Sequence, residues 1–224
     1  MKPTKEYNGR SRIRMYNCDC MQLIKTGSWD LAIVDPPYGV GADNKNNGKN
    51  SDRHEKTSMA KINTYKKTEW DNVIPNNEYF DQLFRVSKKQ IVWGANYYGL
   101  KGGMLYWHKN VTMPTYSTGE LAWISWLNKI DFVDITWNGM LQHNMKDKEH
   151  RIHPTQKPVQ LYKWLLTNYA KEGDTILDTH GGSLSIAIAC WDLGFDLDVC
   201  ELDTDYFNDA VKRFETHIAQ TQLF

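Results

Sequence analysis

Residues 173–207 read GDTILDTHGGSLSIAIACWDLGFDLDVCELDTDYF, and the order of residue types in this stretch decides the fold class. DTILD predicts a strand that stops at Asp178, and Gly181-Gly182 predicts a tight turn after it. Ser183 or Ser185 is placed to cap a helix running from Ser185 to Leu193. A second strand, DLDVCELD, follows Gly194 and carries Glu201, before a helix from Tyr206 to about Gln220. Strand, glycine turn, helix and strand form the unit of parallel sheets, because two parallel strands need a crossover connection. Glu201 stands about twenty residues beyond the turn, where a carboxylate accepts hydrogen bonds from the two hydroxyls of a ribose.

A dinucleotide would need G-x-G-x-x-G to bring backbone against its pyrophosphate, whereas here the turn is Gly-Gly alone and Leu184 stands where a third glycine would. A nucleoside cofactor without phosphates fits better, and S-adenosylmethionine has that chemistry. The alternative is an ordinary strand-turn-helix with a surface glutamate.

Upstream, residues 31–41 read LAIVDPPYGVG. Leu31 to Val34 has the pattern of a strand covered on both faces, so Asp35 ends it. Pro36 and Pro37 donate no hydrogen bond, and Pro36 keeps Asp35 extended, which leaves a stiff strand exit with carbonyls that no local N–H claims. Two chemical signals thus stand at opposite ends of the chain.

Between them the pattern continues. Arg12 to Asn17 predicts a first strand, Met21 to Lys25 a short helix, and Asn77 to Ser87 a helix on the spacing of Tyr79, Phe80, Leu83 and Phe84. QIVWGANYY, GMLYWHKN and ELAWISWL read as three strands, Gln142 to Lys157 as a polar connector and Pro158 to Ala170 as a helix. The expected fold is α/β: a Rossmann-like, mixed but mostly parallel sheet with helices on both faces, in one domain spanning residues 1–224. Gly39 to about Thr68 is rich in Asn, Lys, Ser and Gly and reads as a mobile loop.

Lys plus Arg and Asp plus Glu each number 27, so a nucleic acid would have to be met by a local basic patch and not by an overall field. The four cysteines, Cys18, Cys20, Cys190 and Cys200, do not have zinc-ligand spacing and read as reduced, mostly buried thiols; no metal is expected. Neither a signal peptide nor a membrane span is expected, which reads as a cytoplasmic protein.

Asp35-Pro36-Pro37-Tyr38 resembles the D-P-P-Y motif of the amino-group DNA methyltransferases, and four such residues arise by chance in a chain this long on the order of once in a thousand. Leu177 to Ser183 resembles the glycine-rich cofactor loop of that family, and His153-Pro154-Thr155-Gln156-Lys157-Pro158 matches the segment that precedes it. Trp93 to Tyr97 and Glu120 to Trp123 are similar to segments of small phage and prophage members. The catalytic motif comes first and the cofactor loop last, as in the group called beta. Three departures stand out: Thr179 and His180 replace Pro-Phe, and Leu184 replaces the last glycine, where it narrows the methionine pocket.

The resemblance implies S-adenosylmethionine as cofactor and adenine N6 in double-stranded DNA as target, since Asp35 stands where cytosine-N4 relatives more often have Ser. Implied cofactor residues are Asp19, Cys20, Asp178, His180, Gly181, Gly182, Ser183, Glu201 and Lys157. Asp19 reads equally as a helix cap, and His180 as a packing residue before a base. For catalysis, the Asp35 carboxylate and the freed Pro36 carbonyl each accept one N–H of the amine, Pro37 stiffens the corner, and Tyr38 stacks on the flipped base. Transfer is direct and in line. Trp93 and Asn96 are candidates for the base pocket or for the core. Lys45, Lys49, Arg53, Lys56, Lys61, Lys66 and Lys67, with Lys146, Lys148 and Arg151, are candidate phosphate contacts. No separate target-recognition domain is visible, which suits a short recognition sequence or recognition shared across a homodimer. The rival readings are cytosine-N4 methylation, RNA or protein methylation, and an idle nucleic-acid-binding domain.

Overall fold

The computed structural model describes residues 1–41, 71–112, 117–138 and 141–221. Lys45, Lys49, Arg53, Lys56, Lys61, Lys66, Lys67 and most of the 39–68 loop lie outside the described residues.

In chain order the elements are β1 (Lys5–Asn8), β2 (Arg12–Asn17), α1 (Cys20–Leu23), β3 (Trp29–Val34), α2 (Asn77–Val86), β4 (Ser87–Trp93), α3 (Ala95–Tyr98), β5 (Gly103–His108), β6 (Gly119–Ile124) and β7 (Ile130–Asp134). A short ribbon of β8 (Trp137–Asn138) and β9 (Leu141–Gln142) follows. The last third comprises α4 (Val159–Tyr169), β10 (Thr175–Asp178), α5 (Ser185–Leu193), β11 (Asp196–Glu201) and α6 (Thr204–Thr221). β1 and β7, one with four residues of which Tyr7 alone is apolar and one with two exposed apolar residues, carry too little apolar signal to be read as strands from sequence. The expected strand QIVWGANYY ends instead at Trp93: Gly94 turns left-handed (φ 75°) and the rest forms α3.

One sheet has the order β1-β2-β11-β10-β3-β4-β6-β5-β7. Five of its eight pairings are parallel, and β1, β4-β6 and β6-β5 supply the antiparallel ones. Both faces are covered, which explains the unbroken apolar strands. On β3, Leu31 and Ile33 join a core with α4, α5 and α6, while Ala32 and Val34 join one with α1 and α2.

β10 lies between β11 and β3. From β10 the chain crosses through α5 to one side, and from β3 it crosses through α2 to the other. That reversal opens a crevice beyond the carboxyl ends of β10 and β3, the place where such sheets bind ligands. The register β2 to β11, with Asn17 beside Glu201, also brings Cys18 and Asp19 to this edge.

Among the described residues, no helix is long and apolar enough to cross a membrane. Asp198, 3 % exposed, fastens the other end of the sheet by accepting from Arg14 (2.5 Å), Trp29 Nε1 (2.8 Å) and Tyr16 Oη (3.3 Å). Asp198→Ala strands those donors, and urea unfolding should show a loss of about 3 kcal/mol; an unchanged midpoint would contradict this assignment.

Candidate active site

The Asp35 corner is built by its neighbours. Asp71, buried, accepts the N–H of Tyr38 (2.6 Å) and of Gly39 (3.1 Å) on one carboxylate oxygen, which holds the chain as it leaves the prolines. The Tyr98 hydroxyl meets the carbonyls of Pro36 (2.7 Å) and Pro37 (2.9 Å) together. The Pro36 carbonyl is therefore not left unclaimed, contrary to the sequence expectation: no backbone N–H of the described residues reaches it, but a tyrosine from α3 does. One lone pair remains for a ligand.

Tyr38 also differs from expectation. Its ring lies over Gly94, where a β-carbon would come within 2.3 Å of it, and stacks on Tyr97 at 5.0 Å and 17°. Its hydroxyl donates to Asp35 Oδ1 at 2.6 Å.

Lys157 closes the corner. Its ammonium lies 2.5 Å from Asp35 Oδ2, 3.0 Å from Glu120 Oε2 and 3.2 Å from Tyr38 Oη, with the side chain 3 % exposed. Lys109 pairs with the other Glu120 oxygen. The lysine expected among the cofactor residues is thus committed to the catalytic carboxylate. Two cations balance two anions, and the arrangement persists because buried charges are tolerated only when paired. Burial pushes the Asp35 carboxyl above its ordinary value against the pull of Lys157. Burial acts the same way on Glu120, but Lys109 and Lys157 outweigh it and hold that carboxyl low. Lys157 is held charged: burial opposes its charge, and Asp35 and Glu120 overcome that opposition. The backbone here is fixed by Gln156, whose side chain accepts from Ile152 N (3.0 Å) and whose carbonyl accepts from Trp137 Nε1 (2.8 Å).

The glycine loop is shaped from within. A β-carbon at Gly181 would come within 2.7 Å of Val199 and 2.8 Å of Leu184, and Gly182 takes φ 51°. Glu201 braces the loop by accepting Gly182 N (2.8 Å) and Asp203 N (2.8 Å), one on each oxygen. Leu184, left-handed at φ 54° and 1 % exposed, is the residue that starts α5, with no side-chain cap. Neither serine caps the helix: Ser183 and Ser185 share a hydrogen bond (3.1 Å), and Arg213 of α6 donates to the Ser183 carbonyl (2.9 Å). Leu184 packs into the core instead of narrowing the pocket. His180 stands edge-on to Tyr79 at 5.4 Å, with Nδ1 against Thr179 Oγ1 at 2.9 Å, and burial pulls it down to about 4, so its ring is neutral and packed.

Two cavities meet here. One, about 650 Å³, is lined by Cys18, Asp19, Cys20, His180, Gly181, Gly182, Ser183 and Glu201 among others. The second, about 540 Å³, is lined by Pro36, Tyr38, Asn96, Tyr97, Tyr106 and Glu120 among others. Asp35, Pro37, Thr155 and Lys157 line both and form their common wall. Asp19 also caps α1, accepting Met21 N at 2.8 Å. Asp178 is a correction: 1 % exposed, it lies behind the loop with Oδ1 on His180 N (2.9 Å) and does not line the cavity. Trp93 is another, fully buried beneath the Lys157 ammonium at 5.1 Å from the ring centre, while Asn96 does line the second cavity. Of the connector cations, Lys146 and Lys148 are exposed and Arg151 lies over Trp137 at 4.3 Å.

Glu120, Lys109, Tyr98, Asp71 and Arg213 received no site role from sequence. Residues 58–212 match the DNA methylase family of N6 and N4 methyltransferases. The chain belongs to that family. A curated relative, the type II methyltransferase M2.DpnII of Streptococcus pneumoniae, is 24 % identical over 95 % of this chain and 93 % of its own. Among solved structures, the M1.HpyAVI-SAM complex superposes with a TM-score of 0.55 at 19 % identity, covering 90 % of this methylase and 99 % of the other chain. The cytosine-N4-specific PvuII DNA methyltransferase gives 0.57 at 13 %, covering 92 % and 90 %.

Burial raises the Asp178 carboxyl from 3.8 to about 8. The folded methylase therefore holds a proton that the unfolded chain has released, so the stability this group contributes is complete below pH 3.8 and is lost as pH rises through about 8. Asp178→Asn, which keeps the oxygen facing His180, should match the wild type in urea midpoint at the acid end of that window and exceed it progressively toward its alkaline end. Parallel profiles would contradict a buried, protonated Asp178.

Proposed function

We propose that this methylase transfers a methyl group from S-adenosylmethionine to the N6 amine of adenine in double-stranded DNA. The observation that carries the reading is the wall shared by the two cavities, because a methyl donor on one side and an amine on the other then face each other across Asp35. The cavity beside Glu201 has the size of a small-molecule site and a donor set suited to an adenosine. Each Glu201 oxygen keeps a lone pair for a ribose hydroxyl, Asp19 stands at the adenine end, and the Gly181-Gly182 backbone leaves room for the ligand. When bound there, S-adenosylmethionine supplies an electrophilic methyl on a sulfonium.

An exocyclic amine is a weak nucleophile because its lone pair is delocalised into the ring. Asp35 and the remaining lone pair of the Pro36 carbonyl accept its two N–H groups, which favours a pyramidal nitrogen with its lone pair turned toward the shared wall. Asp35 would take the proton that the nitrogen sheds as its bond to carbon forms and the sulfonium S–C bond breaks, the donor leaving as a neutral thioether. Lys157 steadies the carboxylate until then. Adenine is favoured over cytosine by the aspartate at the first motif position, and of the connector candidates Lys146 and Lys148 are exposed toward phosphates. The type II relative supports a role in a modification system.

The test is incubation with methyl-labelled S-adenosylmethionine and unmethylated DNA, followed by digestion to nucleosides. Label in N6-methyl-2′-deoxyadenosine is the expected result; label in N4-methylcytosine, in RNA alone or nowhere overturns it. Asp35→Ala should lower kcat by roughly 10²- to 10⁴-fold while leaving S-adenosylmethionine affinity within about threefold, since the nucleoside end is held by Glu201 and the glycine loop.

A further inference from the structure

One oxygen in the corner plays two roles. The Tyr38 hydroxyl donates to Asp35 Oδ1 at 2.6 Å and lies 3.2 Å from the Lys157 ammonium, which has only donors to offer it. Donor and acceptor side by side is the pattern of an amino-bearing base edge: adenine presents N6–H next to N1, and cytosine presents N4–H next to N3. We infer that Lys157 reads the ring nitrogen adjacent to the target amine, in the place the Tyr38 hydroxyl holds in this structure. This rests on the proposed function and adds to it the group that recognises the base.

Lys157 has three N–H groups, and Asp35 and Glu120 take two of them. When a base occupies the corner and displaces the Tyr38 hydroxyl, the third must find another acceptor, because a buried ammonium proton without a partner is costly. The unprotonated ring nitrogen supplies one. A base whose ring nitrogen carries hydrogen, as guanine N1 and thymine N3 do, would turn a donor toward a donor and be rejected. Glu120 and Lys109 acquire a purpose as well. Glu120 accepts from Lys157 on one oxygen and from Lys109 on the other, so the ammonium is anchored from strand β6 and not swung by its flexible stem.

The experiment uses duplexes carrying the methylated site found by mapping, with the target adenine replaced by 1-deazaadenine or by 7-deazaadenine. Each replacement makes the amine more electron-rich, so neither lowers its nucleophilicity. The wild type should lose roughly tenfold to hundredfold in kcat/KM on the 1-deaza duplex and stay within about threefold on the 7-deaza duplex. Lys157→Met should be slow on ordinary adenine and show no further penalty for 1-deazaadenine. Equal rates on adenine and 1-deazaadenine with the wild type overturn the inference, as does a 1-deaza penalty that persists in a folded Lys157→Met protein. If that variant does not fold, the wild-type comparison of the two analogues decides alone. Absence of methylation on the ordinary duplex overturns the proposed function itself.

Discussion

A buried ammonium between two carboxylates organises this molecule's chemistry. Lys157 comes from the connector before α4, Asp35 from the end of β3 and Glu120 from β6, and no two of them are near in sequence. Removing one member of such a cluster leaves an uncompensated buried charge, a loss of roughly 3 to 5 kcal/mol, whereas the intact cluster contributes little net stability. Its value lies in position: the catalytic carboxylate is held at one point on the wall between two cavities. The corner prolines stiffen that point from the backbone side, and Tyr98 aligns their carbonyls.

The sheet supplies the second constraint. Chain reversal at β10 and β3 places the glycine loop and the D-P-P-Y corner side by side although they are separated by about two thirds of the chain. The loop owes its shape to close contacts with Val199 and Leu184 and to the Glu201 carboxylate, so the residue that suits a ribose is also the one that braces the turn. Arg213 ties the same loop to Glu149 of the connector at 2.7 Å, linking the cofactor side to the segment that bears Lys157.

Much of this was legible in the sequence because it is written in short-range patterns. The final strand-turn-helix-strand run and the motif order follow from periodicity, turn chemistry and the resemblance. What was not legible depends on contacts made across the chain. Nothing near Lys157 in sequence indicates that its partner is Asp35 and not the cofactor. Tyr98 was hidden inside a segment read as a strand until Gly94 broke it, and Asp71 caps a turn more than thirty residues away. Leu184 looked like a pocket residue by alignment to a glycine, yet its left-handed backbone turns the side chain into the core.

The measurement that bears most directly on this account is a crystal structure of the protein with S-adenosylhomocysteine, the demethylated product. The ribose should rest on Glu201 and the sulfur should point to the aperture framed by Asp35, Pro37, Thr155 and Lys157. A product molecule seated away from this aperture would contradict it.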